Sequence, residues 1–244
     1  MRFFHKKAPL TGKTRLAEDT FRFELEAPGI SRAARPGQFI HVEAPGRSLR
    51  RAFSIAGASG SSVSIIFRVR GTGTSAISRF EKGDRLDVIG PLGNGFPESP
   101  GKPLFVAGGL GAAPLAFLAS TSSGGTFIYG ARKQCEFIPD GLLGASGHTL
   151  IKVCQELTGR LVTDLAEESI SPDSTVYAAG PVSMLKKLAD ICRGKAKTFV
   201  SWEENLGCGT GLCQGCPVRT LSGYRMTCSD GPVFDAEEID WDAC

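Results

Sequence analysis

Histidine is scarce in this sequence. The 244 residues hold three, His5, His41 and His148, far apart along the chain. No Ser/His/Asp arrangement and no carboxylate pair stands out, so no side chain is assigned a catalytic role. Long apolar runs are missing as well. The longest uncharged stretch, 103–131, loses its apolar character near Ser120 and is broken by Pro103, Pro114 and three glycines. That argues against a membrane-spanning helix, and no membrane partner is expected. The first residues, Met1-Arg2-Phe3-Phe4-His5-Lys6-Lys7, lack the apolar core of a signal peptide, so the expected compartment is cytoplasmic. A strong charge of either sign is absent: the net charge is +3, which argues neither for nor against nucleic acid; none is expected as partner. Residues 229–244 carry six acidic residues and no Lys or Arg, which reads as a solvated face. Internal repeats and low-complexity tracts are absent.

Cysteine is what the chain has in a pattern. Four of its eight cysteines fall between Cys208 and Cys228. Cys208, Cys213 and Cys216 form C-x4-C-x2-C, and Cys228 follows at a distance, the spacing of plant-type [2Fe–2S] sites. Four thiolates must converge on two irons, and the first three come from one tight loop. Gly207, Gly209, Gly211 and Gly215 keep that loop free of Cβ crowding, so its N–H groups can point at sulfur. A four-cysteine zinc site usually brings two CxxC-like knuckles, and only Cys213/Cys216 makes one. Disulfides are the third reading, less suited to a Gly-rich loop in a reducing compartment. Cys135, Cys154, Cys192 and Cys244 show no ligand spacing, and Cys154 and Cys192 read as small buried hydrophobes.

The hydrophobic period divides the rest. Residues 1–97 read as an all-β unit, with Phe21, Phe23 and Leu25 alternating with charged residues. Gln38–Glu43, Val63–Val69 and Arg85–Ile89 are further short strands, with turns at Ala27-Pro28-Gly29, Arg35-Pro36-Gly37 and Pro45-Gly46, a barrel or sandwich pattern. Pro91–Pro97 reads as a boundary. Residues 98–197 alternate strand and helix: strands at Leu104–Ala107, Thr126–Tyr129, Thr149–Val153 and Val176–Ala178, helices at Ala112–Ala119 and along Val182, Leu185, Leu188, Ala189 and Cys192. This predicts a Rossmann-like, doubly wound, mostly parallel sheet. Residues 198–244 form the cysteine module, with a few short strands.

Three kinds of motif are candidate cofactor sites. Arg51-Ala52-Phe53-Ser54 is an extended segment that places Arg51 and Phe53 on one side and Ser54 on the other. Arg51 can pair with a pyrophosphate and the Phe53 ring can lie against a planar cofactor. Ile66-Phe67-Arg68 followed by Gly73 and Thr74 in a Gly/Thr turn offers a second basic strand and phosphate-facing donors. Gly109, Gly111 and Pro114 mark a strand-to-helix loop in which proline replaces the usual third glycine, and Gly180-Pro181 repeats the device. Plain strands and packing turns are the bland alternative for each.

In that order, R-x-F-S, G-T-G-T, G-G-x-G-x-x-P and A-G-P resemble the ferredoxin–NADP reductase superfamily. The C-terminal C-G-x-G-x-C-x-G-C with Cys228-Ser229-Asp230-Gly231-Pro232-Val233-Phe234 narrows the likeness to the electron-transfer subunits of class 1B dihydroorotate dehydrogenase, over essentially the whole chain. The resemblance implies an N-terminal antiparallel FAD-binding β-barrel, a nicotinamide-nucleotide-binding α/β domain and a small C-terminal [2Fe-2S] module. It implies FAD contacts at Arg51, Ala52, Phe53, Ser54, Ile66, Phe67, Arg68, Gly73 and Thr74, and cluster ligation by Cys208, Cys213, Cys216 and Cys228. NAD is then the co-substrate, with electrons coming from an FMN-containing catalytic subunit in a heterotetramer of two of each, within pyrimidine (UMP) biosynthesis. Ala52 stands where the family often has Pro, and the glycine-rich stretch 131–150 leaves nicotinamide contacts unassigned. A reductase subunit of a hydrogenase, glutamate synthase or transhydrogenase-like complex is the second expectation, and a zinc-binding interaction protein the third.

Overall fold

The computed structural model describes residues 3–243. Met1, Arg2 and Cys244, with the readings made of them, lie outside the described residues.

The first unit closes on itself. Strands β1 (Phe4–Arg15), β2 (Thr20–Glu26), β3 (Phe39–Val42), β4 (Arg51–Ser59), β5 (Ser62–Arg68) and β6 (Arg85–Leu92) form a closed barrel in the order β1-β2-β5-β4-β3-β6. All its pairings are antiparallel. The period-two alternation holds where it is strongest: Phe23 and Leu25 are fully buried among Ile40, Val42, Ile55 and Ile65. Strand β1 is not visible from the sequence, because only Ala8 and Leu10 of its twelve residues are buried and its polar positions break the alternation. Two expected turns are helices. Ala27-Pro28-Gly29 opens α1 (Pro28–Ala33), since proline fits the first helical position. The Gly/Thr turn opens α2 (Thr72–Ile77), where Thr74 Oγ1 accepts the N–H of Arg70 at 2.9 Å and of Gly71 at 3.2 Å.

The second unit is built on parallel strands β7 (Lys102–Gly108), β8 (Thr126–Ala131), β9 (Thr149–Cys154), β10 (Ser174–Ala179) and β11 (Lys197–Ser201). Helices α3 (Ala112–Ala119), α4 (Gln155–Thr158), α5 (Val162–Ser169) and α6 (Val182–Cys192) connect them. Beyond β11 the chain carries the cysteine loop, a hairpin of β12 (Pro217–Thr220) and β13 (Gly223–Met226), and then β14 (Val233–Asp235). β14 returns antiparallel to β11, so the sheet order is β14-β11-β10-β7-β8-β9. The expected boundary at 198 therefore falls inside a sheet strand, and the cysteine module is an excursion between two strands of the α/β unit. Phe105, Tyr177 and Phe199 stack across adjacent strands at 5.9 Å.

Helix α3 explains its own composition. Seven of its eight residues are buried. Leu115 and Ala119 pack with the sheet residues Phe105 and Phe127, whereas Phe117 joins the barrel core. A helix with apolar neighbours on both sides is apolar all round, and α3 is thus the hinge-pin that fixes the barrel against the sheet. Cys154 and Cys192 are buried as expected, and Cys192 belongs to the sheet core.

Candidate functional site

The chain runs from β7 outward to β8 and β9 and then crosses back to β10 on the other side of β7. That reversal makes a crevice at the carboxyl ends of β7 and β10. The loops after these strands are the two glycine motifs, and they touch. A Cβ on Gly111 would lie 2.1 Å from Ala179 O, and one on Gly180 would lie 3.1 Å from Gly108 Cα. Gly109, with φ +56°, turns the backbone into the crevice and has no neighbour a Cβ would meet.

The crevice continues to the barrel as one cleft of about 820 Å³. From the barrel it is lined by Ala52, Phe53, Ser54, Ile66, Phe67 and Arg68, and from the sheet by Gly109, Gly111, Gly180 and Pro181. Ten of the expected cofactor residues thus meet in one place. Four do not line it. Pro114 is buried in the first turn of α3. Arg51, Gly73 and Thr74 stand outside the lining, with the Arg51 guanidinium against Gly73 and Thr74 Oγ1 bonded to Arg70 and Gly71. Phe53 does not present an open ring face: it is 8% exposed and packs against Phe67 with centroids 5.0 Å apart. Arg68 is held between Asp19 at 3.5 Å and Glu136 at 3.4 Å, the latter across the cleft from the sheet side.

Three residues that sequence reasoning passed over point to a bound group. Thr163, Trp202 and Thr227 line the cleft, each at most 6% exposed, and Thr163 Oγ1, Trp202 Nε1 and Thr227 Oγ1 have no hydrogen-bond partner. Buried polar atoms are almost always paired, so a ligand with polar edges fits here. Together with Arg68, Arg70, Arg132 and Arg160 at the lining, an anionic dinucleotide fits the cleft. Arg132 follows β8 directly, in the stretch where the sequence left contacts unassigned; only the strand-end position could have flagged it.

The cysteine loop lies against the barrel. Cys216 and Cys228, each 1% exposed, pack with Phe39 and Leu92, and Ala52 borders the same cluster. Cys216 Sγ and Cys228 Sγ are 3.4 Å apart, near the roughly 3.7 Å that two thiolates at about 2.3 Å on one tetrahedral metal would show. Cys208 is half-buried and Cys213 exposed, and none of the described cysteines is in a disulfide. Positive φ values at Gly209, Gly211 and Gln214 turn the loop amides inward. Thr210 and Cys213 donate N–H groups to Cys208 Sγ at 3.4 Å, and Gly211 donates to Cys228 Sγ at 3.2 Å. Burial alone would raise the Cys208 thiol, but the Cys213 and Thr210 donors outweigh it and bring its pKa down to about 6. Burial and the neighbouring Cys216 push Cys228 up to about 12, so a metal must supply what ionises it. Among the described residues, no three Cys, His, Asp or Glu groups are arranged to hold one ion. A buried close pair with two outer cysteines suits thiolates shared between two irons better than a single tetrahedral zinc.

Comparison with known proteins agrees part by part. Residues 203–240 match the family model of the iron–sulfur cluster binding domain of dihydroorotate dehydrogenase B, and residues 7–96 match that of the oxidoreductase FAD-binding domain. The dihydroorotate dehydrogenase B (NAD(+)) electron transfer subunit of Caldanaerobacter subterraneus subsp. tengcongensis is 36% identical, over 96% of this chain and 97% of its own. The protein of the same name from Geobacillus thermodenitrificans is 34% identical over 92% of this chain and 94% of its own. A solved NADH-dependent reduced ferredoxin–NADP oxidoreductase superposes with a TM-score of 0.86 at 29% identity, over 98% of this chain and 91% of that one. With barrel, switch-point crevice and cysteine loop all in place along the full length of these relatives, the chain belongs to the family of dihydroorotate dehydrogenase B (NAD(+)) electron transfer subunits.

Proposed function

We propose that this chain carries electrons between a catalytic subunit that oxidises dihydroorotate and NAD⁺, using one [2Fe-2S] cluster and one FAD, in pyrimidine (UMP) synthesis. The observation that carries this reading is the shared layer between the two sites. Phe39 lines the cleft and also packs on Cys216 and Cys228, and Ala52 borders both. A flavin on β4 and a cluster in the cysteine loop would thus be separated by side chains in direct contact. Bound FAD supplies the exchange between hydride and single electrons, and the cluster takes one electron at a time.

The chain's own residues bind and orient. Gly109 lets the β7 loop approach a dinucleotide closely, and Gly111 lets that loop pack on the loop after β10. Arg68 in the cleft and Arg51 beside it supply cationic charge for phosphate on the barrel side. Cys208, Cys213, Cys216 and Cys228 hold the irons. The relatives' name implies a separate catalytic subunit; we assign it an FMN and a two-plus-two assembly with this chain.

A second reading has one observation in its favour. The reductase with a TM-score of 0.86 is named for ferredoxin and NADP, not dihydroorotate. A reductase subunit of such a complex would co-purify with a different partner, which pull-down of the native complex distinguishes. The primary test is a visible spectrum of anaerobically purified protein with iron and flavin assays. About one flavin and two irons per chain, bleached by NADH, is the expected result. Zinc without flavin would overturn the proposal.

A further inference from the structure

Strand β3 has two differently used faces. Ile40 and Val42 belong to the barrel core, whereas Phe39 joins the layer under the cysteine loop. His41 shares the face of Phe39, with ring centroids 5.6 Å apart, and is 0% exposed. Its imidazole meets the cysteine loop. A Cβ on Gly209 would lie 2.6 Å from His41 Cε1, 2.8 Å from Nδ1 and 3.1 Å from Nε2. The edge carrying both nitrogens therefore faces the backbone next to Cys208.

Neither ring nitrogen has a hydrogen-bond partner. As a neutral imidazole the ring carries one N–H donor and one acceptor. A donor left unpaired in the interior is costly, and an apolar residue would fill the position without that cost. The missing partner is not in the flavin cleft, because Phe39, Ala52 and Ser54 line it and His41 does not. The neighbour that the ring edge faces is the cysteine loop at Gly209. The other two histidines are engaged elsewhere: His5 with Asp87 at 2.7 Å, His148 with Ala119 O and Ser122 O at 3.0 Å.

We propose that His41 donates its ring N–H to a sulfur of the iron–sulfur cluster held by this loop, and so acts as a positioning residue that raises the cluster's reduction potential. The inference rests on the functional reading above. Reduction adds negative charge to the sulfurs, and a hydrogen bond to sulfur favours the reduced form. His41 pairs in register with Ala52 on the proposed flavin strand, so the same ring stands between the two redox sites and biases how an electron is shared between them.

The test uses the full chain with histidines labelled with nitrogen-15. Pulsed EPR of the reduced cluster should show one weakly coupled imidazole nitrogen, which disappears in His41→Leu. In redox titration, His41→Leu should move the electron about tenfold from cluster toward flavin, equivalent to about 59 mV for one electron. His41→Gln, which keeps an N–H donor, should recover most of that shift. Iron content separates the two levels of the argument. Wild-type protein without two irons per chain would overturn the functional reading and this inference with it. A loaded wild-type cluster with no histidine nitrogen coupling would overturn the inference alone, and does so even if His41→Leu fails to fold. An unchanged cluster potential with a shifted flavin potential would place the partner on the flavin and also overturn it.

Discussion

The guanidinium of Arg51 lies against Gly73, so close that a Cβ there would sit 2.4 Å from Nε and 2.6 Å from Cζ. Two motifs whose contacting residues stand twenty-two positions apart thus form one structure, a cation seated on a bare backbone at the start of α2. Replacing Gly73 by valine must move Arg51 away from the cleft while leaving its charge. Gly73→Val should weaken FAD binding about tenfold, or about 1.4 kcal/mol, with the fold intact by circular dichroism. Arg51→Ala should cause a similar loss. The double variant should lose little more than either, because both remove one interaction. Flavin titration of the deflavinated protein reads all three.

The contact between Gly111 and Ala179 O sets a different cost. A side chain at 111 would strike backbone of β10 at 2.1 Å, so the two crevice loops would have to part. Gly111→Ala should destabilise the chain by roughly 1–3 kcal/mol, the usual range for overpacking, and raise KM for NADH in flavin reduction. At Gly109 nothing obstructs a Cβ, but φ is +56°. Gly109→Ala should cost only about 1 kcal/mol of left-handed strain. Thermal unfolding with steady-state KM separates the two.

Local patterns were the legible part of this molecule. Ligand spacing in Cys208–Cys216 lies within one loop, and α3 over Ala112–Ala119 is bracketed by a strand and a glycine turn, so both could be read directly. Strand β1 was illegible because barrel closure, not its own alternation, holds it in place. The seat of Arg51 on Gly73 depends on α2 folding back, which the sequence shows only as a Gly/Thr turn. Thr163, Trp202 and Thr227 carry no motif; they matter because distant elements bury their polar atoms at one cleft and leave them unpaired. Residue 198, the expected start of the cysteine module, lies inside β11 for a similar reason, since β14 pairs with β11 only after the cysteine loop has been inserted between them.

Asp87 ties the barrel's end together, accepting from Arg50 at 2.6 Å and bonding His5 at 2.7 Å. Burial would raise its carboxyl, but the hydrogen bonds and charges of Arg50 and His5 outweigh it and hold the pKa below the usual carboxylate range. A lowered folded-state pKa stabilises the fold above the unfolded value, about 3.9, and loses that stabilisation as pH falls through the folded value. Asp87→Asn should therefore cost roughly 1 kcal/mol at pH 7, the scale of a partly exposed ion pair. Once the pH falls below the folded-state value, the variant and the parent should converge. Urea unfolding at the two pH values checks both halves, and a difference that persists in acid would mean Asp87 acts through packing.

Cys213 offers the cleanest separation of the two redox sites. It is exposed, whereas Cys216 and Cys228 are packed into the layer with Phe39. Serine at 213 should therefore damage the cluster without disturbing the barrel wall that carries Ala52, Phe53 and Ser54. If electrons pass from the partner through the cluster to the flavin and then to NAD⁺, Cys213→Ser should abolish dihydroorotate-to-NAD⁺ transfer in the assembled complex. NADH diaphorase activity, which needs only the flavin cleft, should be partly spared. Iron and flavin contents measured on the same sample confirm that the loss lies at the cluster. Equal loss of both activities at full flavin content would mean that artificial acceptors also draw their electrons through the cluster, and the proposed division between cleft and cysteine loop would fail.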